Sequence, residues 1–181
     1  MSKIILISCI FFLSRAVCVE SIYTYSVISI EGNNKPLSAY KGKKLLVITL
    51  PTQQNASGDS LLHSLDSIRA VYNNTLQIIA VPAYEDGYTS AIKNSLKQWY
   101  RSILGSGIIV TEGMYTRKTS GNQQHPLFKW LTDKDKNGFF NQDVTGPRHK
   151  FIVWTDGELT GELGAPIRIG GSAMNDLLQN Q

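Results

Sequence analysis

Beyond residue 18 the 181-residue chain contains no cysteine; its only two, Cys9 and Cys18, lie in the opening segment. Everything after that segment is therefore barred from disulfides and from thiolate chemistry, and its stability must come from its core. Charge of one sign is also lacking. Without Lys3 and Arg15 the 18 Lys and Arg fall to 16 against 14 Asp and Glu, a formal charge of +2. So weak a balance argues against a nucleic-acid partner. Histidine is sparse: His63, His125 and His149 are far apart, with neither the i, i+4 nor the H-x-H spacing of zinc ligands. Gly105-Ser106-Gly107 and Gly170-Gly171 lack the remaining glycines of a dinucleotide fingerprint, and phosphate loops and G-x-S-x-G elbows are absent.

The first 18 residues have the composition of a secretory leader: Lys3, an apolar run from Ile4 to Leu13, then Ala16 and Cys18 at −3 and −1 to a cleavage after Cys18. The run is shorter than the roughly 20 residues that span a bilayer. The rival reading is a lipid anchor on Cys18, to which Val17 is a poor fit. A secreted or periplasmic chain of residues 19–181, without a transmembrane segment, is the expectation. Its length and the 42% hydrophobic composition of the whole chain suit one compact domain.

The remaining sequence alternates strand and helix signals. Ser21–Ile30 has a period of two and reads as an edge strand or hairpin, followed by a turn at Glu31–Pro36. Lys43–Leu50 is a nearly continuous apolar run stopped by Pro51, hence a buried strand. After a polar loop, Leu61, Leu65, Ile68 and Tyr72 mark one helical stripe, capped by Ser57 or Asp59. Leu76–Pro82 reads as a second buried strand, completing a right-handed parallel unit. A helix carrying Ile92, Leu96, Trp99 and Ile103 follows, then a short strand at Gly107–Val110 and a helix opened by His125-Pro126. Lys150–Trp154 and Leu159–Leu163 form a hairpin through Asp156-Gly157, and Ala173–Leu178 closes the chain as a helix. In such sheets, chemistry gathers where strand ends meet helix starts, here Pro51 to Asn55. No good nucleophile stands there.

Asp133-Lys134-Asp135-Lys136-Asn137-Gly138 has the D-x-D-x-N-G spacing of a calcium loop, with Asp133, Asp135 and Asn137 as the candidate oxygen ligands. Val144 takes the twelfth place where a bidentate glutamate is needed, so an ordinary polar turn is the favoured reading. His63 is read as a surface residue and Trp99 as core, whereas Trp130 and Trp154 are candidates for an exposed aromatic patch. Asn55-Ala56-Ser57 and Asn73-Asn74-Thr75 are glycosylation sequons.

A family resemblance sits on the order of these pieces. Ser21-Ile22-Tyr23-Thr24-Tyr25-Ser26-Val27, then Leu37-Ser38-Ala39-Tyr40-Lys41-Gly42-Lys43, resembles the "S-I-Y-D-F-x-V … L-x-x-Y-K-G-K" opening of glutathione peroxidases. Leu76–Pro82 is similar to that family's second strand, which ends in Phe-Pro. Val110-Thr111-Glu112-Gly113 with Pro126–Leu131 resembles its "V-x-x-G … P-L-Y-K-x-L" stretch, and Lys150–Val153 with Asp156-Gly157 resembles its "K-F-L-V-D-x-x-G" hairpin. The resemblance implies an α/β thioredoxin-like fold: a central mixed sheet flanked by helices, with the family's inserted helix and strand. It also implies where the chemistry would be. The peroxidatic cysteine or selenocysteine aligns with Gln54, the catalytic glutamine with Glu85, and the Trp-Asn pair with Gly146-Pro147. A carboxamide cannot attack a peroxide oxygen as a thiolate does.

The reading is thus an exported glutathione-peroxidase-like chain that is redox-inactive and acts as a binding module, with no cofactor. The binding cleft would comprise Thr52, Gln53, Gln54, Glu85 and His149 at its rim, facing an unidentified protein or small-molecule ligand. The alternatives are a hydroperoxide-reducing enzyme of that family and non-thiol acid–base chemistry between Glu85 and His149.

Overall fold

A computed structural model describes residues 20–179. The leader and the candidate anchor Cys18 lie outside the described residues. Five strands form one sheet in the order β5-β4-β3-β6-β7: β3 (Lys44–Leu50), β4 (Leu76–Pro82), β5 (Ile109–Val110), β6 (Lys150–Val153) and β7 (Leu159–Leu163). The β3–β4 and β4–β5 pairings are parallel, whereas β3–β6 and β6–β7 are antiparallel. A separate two-stranded ribbon joins β1 (Ser26–Ile28) to β2 (Asn34–Pro36). The long edge strand expected from Ser21 is shorter because Ser21 caps a 3-10 turn over Ile22–Thr24.

The buried runs of β3 and β4 face two ways, as strand geometry requires. Leu46, Ile48, Ile78 and Ala80 join a core with α1 (Ala56–Tyr72), α2 (Lys93–Ile103) and α5 (Ser172–Gln179). Leu45, Val47, Ile79 and Val81 face a second core with α3 (Pro126–Thr132). The sheet is therefore sandwiched, which is why its strands are apolar without alternation.

Three local expectations change. The cap of α1 is Asn55, whose side chain accepts from the Gly58 amide at 2.8 Å; Ser57 and Asp59 already lie inside the helix. Trp130 and Trp154 are buried, not a surface patch. The Trp130 indole donates to the Glu20 carbonyl at 2.6 Å, and the Lys44 ammonium sits 3.4 Å above the Trp154 ring. The calcium-like stretch is mostly α4 (Lys134–Asn137), with Asp133 capping the Asp135 amide at 3.0 Å. Asn137 turns inward and is fully buried, so it cannot join Asp133 and Asp135 around an ion. Trp99 is core as expected, its indole donating to Asp59 at 2.6 Å, and His63 is exposed.

Candidate functional site

The carboxyl ends of β3 and β4 carry the candidate site. After Leu50 the chain leaves the sheet through Pro51, whose carbonyl accepts from the buried Tyr100 hydroxyl at 2.7 Å. Thr52 is buried and its hydroxyl donates to the Asp86 carbonyl, tying the β3 exit to the turn after β4. Gln53 and Gln54 then stand exposed just before α1. On the neighbouring edge the Thr49 hydroxyl donates to the Gly146 carbonyl at 2.7 Å and accepts from the His149 amide at 3.0 Å. Gly146 and Pro147 are thereby held beside the end of β3.

Glu85 is built into a clasp. Its Oε1 accepts from the amides of Thr116 and Arg117, both at 2.8 Å, and from the Ser120 hydroxyl at 2.7 Å. Burial alone would raise its pKa, but those three donors together hold it below the ordinary carboxylate range. Next to it Arg117 pairs with the buried Asp86 carboxylate. Burial is the largest influence on Asp86 and pushes its pKa up against the pull of Arg117. Glu85 Oε2, Asp86 Oδ2, Thr116 Oγ1 and Arg117 Nε are buried here without a hydrogen-bond partner. Buried polar atoms are nearly always satisfied, so these four set the clasp apart from the rest of the described interior.

The structure separates His149 from this group. Its ring is buried against Phe151, with centroids 4.8 Å apart, and its Nδ1 lies 3.2 Å from the exposed Thr145 hydroxyl. Its Nε2 is 2.7 Å from Glu162 Oε1, close but off the line of the N–H, so that it makes no aligned hydrogen bond. Burial, reinforced by the charge of Lys150, pulls the imidazole down to about 4. His149 is thus a neutral base buried between Thr145 and Glu162, while Glu85 is engaged with Thr116, Arg117 and Ser120. For the alternative reading of a Glu85–His149 acid–base pair, the structure gives each residue other partners: Thr116, Arg117 and Ser120 for Glu85, Thr145 and Glu162 for His149. Asp86, Arg117, Thr145 and Glu162 were missed from sequence. Only Glu162 left a signal, since the expected hairpin puts it opposite Phe151, two strand positions from His149.

Among the described residues no group of three or more His, Cys, Asp or Glu could hold a metal ion, and no helix is long and apolar enough to cross a membrane.

The architecture matches solved structures. The crystal structure of Trgpx in apo form superposes with a TM-score of 0.64 at 20% identity, covering 88% of this chain and 94% of that one. That of T. cruzi GPX1 gives 0.62 at 15% identity, covering 88% and 95%. In sequence, a "Probable phospholipid hydroperoxide glutathione peroxidase" of Nicotiana tabacum is 25% identical over 145 residues, covering 77% of this chain and 81% of that protein. Glutathione peroxidase 1 of Caenorhabditis elegans is 22% identical over 146 residues, covering 80% and 87%. The chain is a glutathione-peroxidase-like protein of the thioredoxin-like fold. No family model matches it. In this glutathione-peroxidase-like chain the strand-end group thus holds an exposed Gln54 after β3 and the Glu85 clasp after β4, the two turns joined by Thr52 and Asp86.

Proposed function

We propose that this is an exported glutathione-peroxidase-like protein whose peroxidase cleft has been vacated and now serves as a non-catalytic binding site. The observation that carries the reading is Gln54: an exposed carboxamide at the strand-to-helix turn where the resemblance puts the peroxidatic residue, in a chain without cysteine from residue 19 onward. Peroxide reduction needs a thiolate or selenolate that attacks one peroxide oxygen, becomes oxidised to the sulfenic or selenenic state and expels the other oxygen as alkoxide. An amide has neither the nucleophilicity nor the redox states.

Two further observations support the proposal. Glu85, aligned with the catalytic glutamine, is committed to the 116–120 segment by three hydrogen bonds. The Trp-Asn position is Gly146-Pro147, which supplies no side-chain donor. The exposed carboxamides of Gln53 and Gln54 at the strand end favour a polar ligand or the polar edge of a partner protein. Export rests on the leader composition of residues 1–18. Because the relatives are named as peroxidases, hydroperoxide reduction is the second reading.

The deciding test is consumption of hydrogen peroxide and lipid hydroperoxide by the purified protein, with glutathione or thioredoxin as reductant, beside Gln54→Cys. We expect no turnover from the wild type and measurable turnover from the variant. Turnover by wild-type residues 19–181, which contain no cysteine, would overturn the proposal.

A further inference from the structure

A cavity of about 530 Å³ opens on the flank of α1, between that helix and the segment 164–169 that follows β7. Its wall holds Arg148, Lys150 and Arg168, the hydroxyl of Ser64 and the aliphatic side chains of Leu61 and Ile167, and no aspartate or glutamate lines it. We propose that this cavity binds a small organic molecule bearing a phosphate-type dianion. The cavity adjoins the strand-end group, since Ser57 follows Gln54 by three residues and Arg148 follows Pro147, but its ligand does not depend on whether that group is catalytic.

The charge count carries the argument. Three cations stand along one wall, and the one carboxylate that acts on them, Glu162 beside Lys150, is not part of the lining, so the wall keeps an excess of positive charge that favours an anion. With Glu162 offsetting one of the three charges, a ligand carboxylate would leave one uncompensated, whereas a phosphate monoester supplies two charges and three acceptor oxygens that suit guanidinium donors. The donors are available. Arg148 uses Nη2 to hold the carbonyl of Ser57 at 2.7 Å and the Ser57 hydroxyl, leaving Nε and Nη1 without partners among the described residues. The exposed Arg168 makes no side-chain hydrogen bond or ion pair among the described residues. Lys150 lies fully buried behind this wall, donating to the carbonyls of Arg148 at 2.7 Å and Gly164 at 3.2 Å, and contributes its charge rather than an exposed proton.

Two more features agree. Arg148 has φ 72°, a left-handed backbone that costs a non-glycine residue roughly 1–2 kcal/mol, and at that position the chain keeps a guanidinium against the cavity. The volume also exceeds the needs of inorganic phosphate and falls in the range of about 300–1,000 Å³ typical of organic ligands. A neighbouring groove of about 580 Å³, lined in part by Ile68, Val71 and Tyr72, shares Ser60, Ser64 and Ile169 with it and offers room for an apolar body. A soluble phosphomonoester and a phospholipid headgroup share this chemistry.

Binding is linked to protons through Lys150. Burial first, and then the adjacent charge of Arg148, lower its pKa to about 8, against the weaker pull of Glu162. The groups that act on its ammonium are Arg148 and Glu162, with His149 beside it on its own segment; Arg168 shares the wall of the cavity. Of these, His149 is neutral above about pH 4. An anion in the cavity favours the ammonium, so affinity is fullest between the second ionisation of the phosphate, about pH 6, and pH 8, and falls about tenfold by pH 9.

The test titrates the purified full chain with inorganic phosphate and glycerol 3-phosphate by calorimetry at pH 7 and pH 9. A parallel arm uses sedimentation with phosphatidylcholine vesicles, with and without phosphatidic acid. We expect tighter binding of glycerol 3-phosphate than of phosphate, a loss of tenfold or more in Arg168→Gln, and loss of the pH dependence in Lys150→Met. Exposed Arg168 can be changed without touching the core, so its variant keeps the test clear of misfolding. Binding of glycerol 3-phosphate without vesicle sedimentation assigns a soluble phosphomonoester. Sedimentation only with phosphatidic acid, abolished in Arg168→Gln, assigns a lipid headgroup. Absence of binding in both arms at millimolar ligand, or binding unchanged in Arg168→Gln, overturns the proposal.

Discussion

Replacing Asn137 with aspartate separates two opposed accounts of the same hexapeptide. As a calcium ligand, Asn137 would be improved by a negative charge. In the structure its amide is instead a buried junction. Its Nδ2 donates to the carbonyls of Trp130, Leu131 and Phe140 at 2.8, 3.3 and 2.9 Å, while Oδ1 accepts from the amides of Phe139 and Phe140 at 2.7 and 2.8 Å. Asn137→Asp keeps the shape but turns the donor into an acceptor facing three carbonyl oxygens. With each orphaned hydrogen bond worth about 1 kcal/mol and an added cost for the buried charge, the loss comes to roughly 3–5 kcal/mol. That is a large share of the roughly 5–15 kcal/mol that holds a domain of this size. The introduced carboxyl has its pKa raised in the folded state, so the deficit is largest above that pKa and shrinks as acid restores a donor. Urea denaturation from pH 4 to pH 8, with and without calcium, measures it. The reasoning is refuted if Asn137→Asp lies within about 1 kcal/mol of wild type, inside the scatter of surface substitutions, or if calcium stabilises it.

Acid stability provides a second test. His149 titrates near 4 when folded and near 6.5 when unfolded, so the unfolded chain takes up a proton first and stability falls as pH drops through that window. The difference is up to about 3 kcal/mol, and His149→Gln is expected to flatten it in urea titrations at pH 4 and 7. Gly113→Ala would place a methyl group 2.0 Å from Cδ1 and 2.3 Å from Cε1 of the buried Tyr88 ring. A loss of about 1–3 kcal/mol is expected in thermal or urea unfolding, partly relieved in a double variant with Tyr88→Ala.

The fold was legible because its signals are strong and redundant. The run Lys44–Leu50 is buried on both faces, and Leu61, Leu65 and Ile68 give α1 one clear stripe. The cap of α1 was misplaced because Asn55, Ser57 and Asp59 all suit that role, and only the backbone decides among them. Trp130 and Trp154 were misjudged because an indole's burial depends on long-range partners, here Glu20 and Lys44. The candidate site was legible as a place but not as a set of contacts. Thr52 does reach the turn after β4, but local sequence could not show that Glu85 reaches 31 residues along the chain to the Thr116 amide, or that His149 packs toward Glu162. Gly113 explains itself only in three dimensions, where it yields its side-chain volume to Tyr88.

The Glu85 clasp has a kinetic consequence. The amides of Thr116 and Arg117 belong to a stretch without α-helix or sheet ladder, where backbone hydrogens ordinarily exchange with solvent quickly. Here both point at one carboxylate that is also held by Ser120. They can exchange only when the clasp lets go, so both amides are exposed together by the release of one carboxylate.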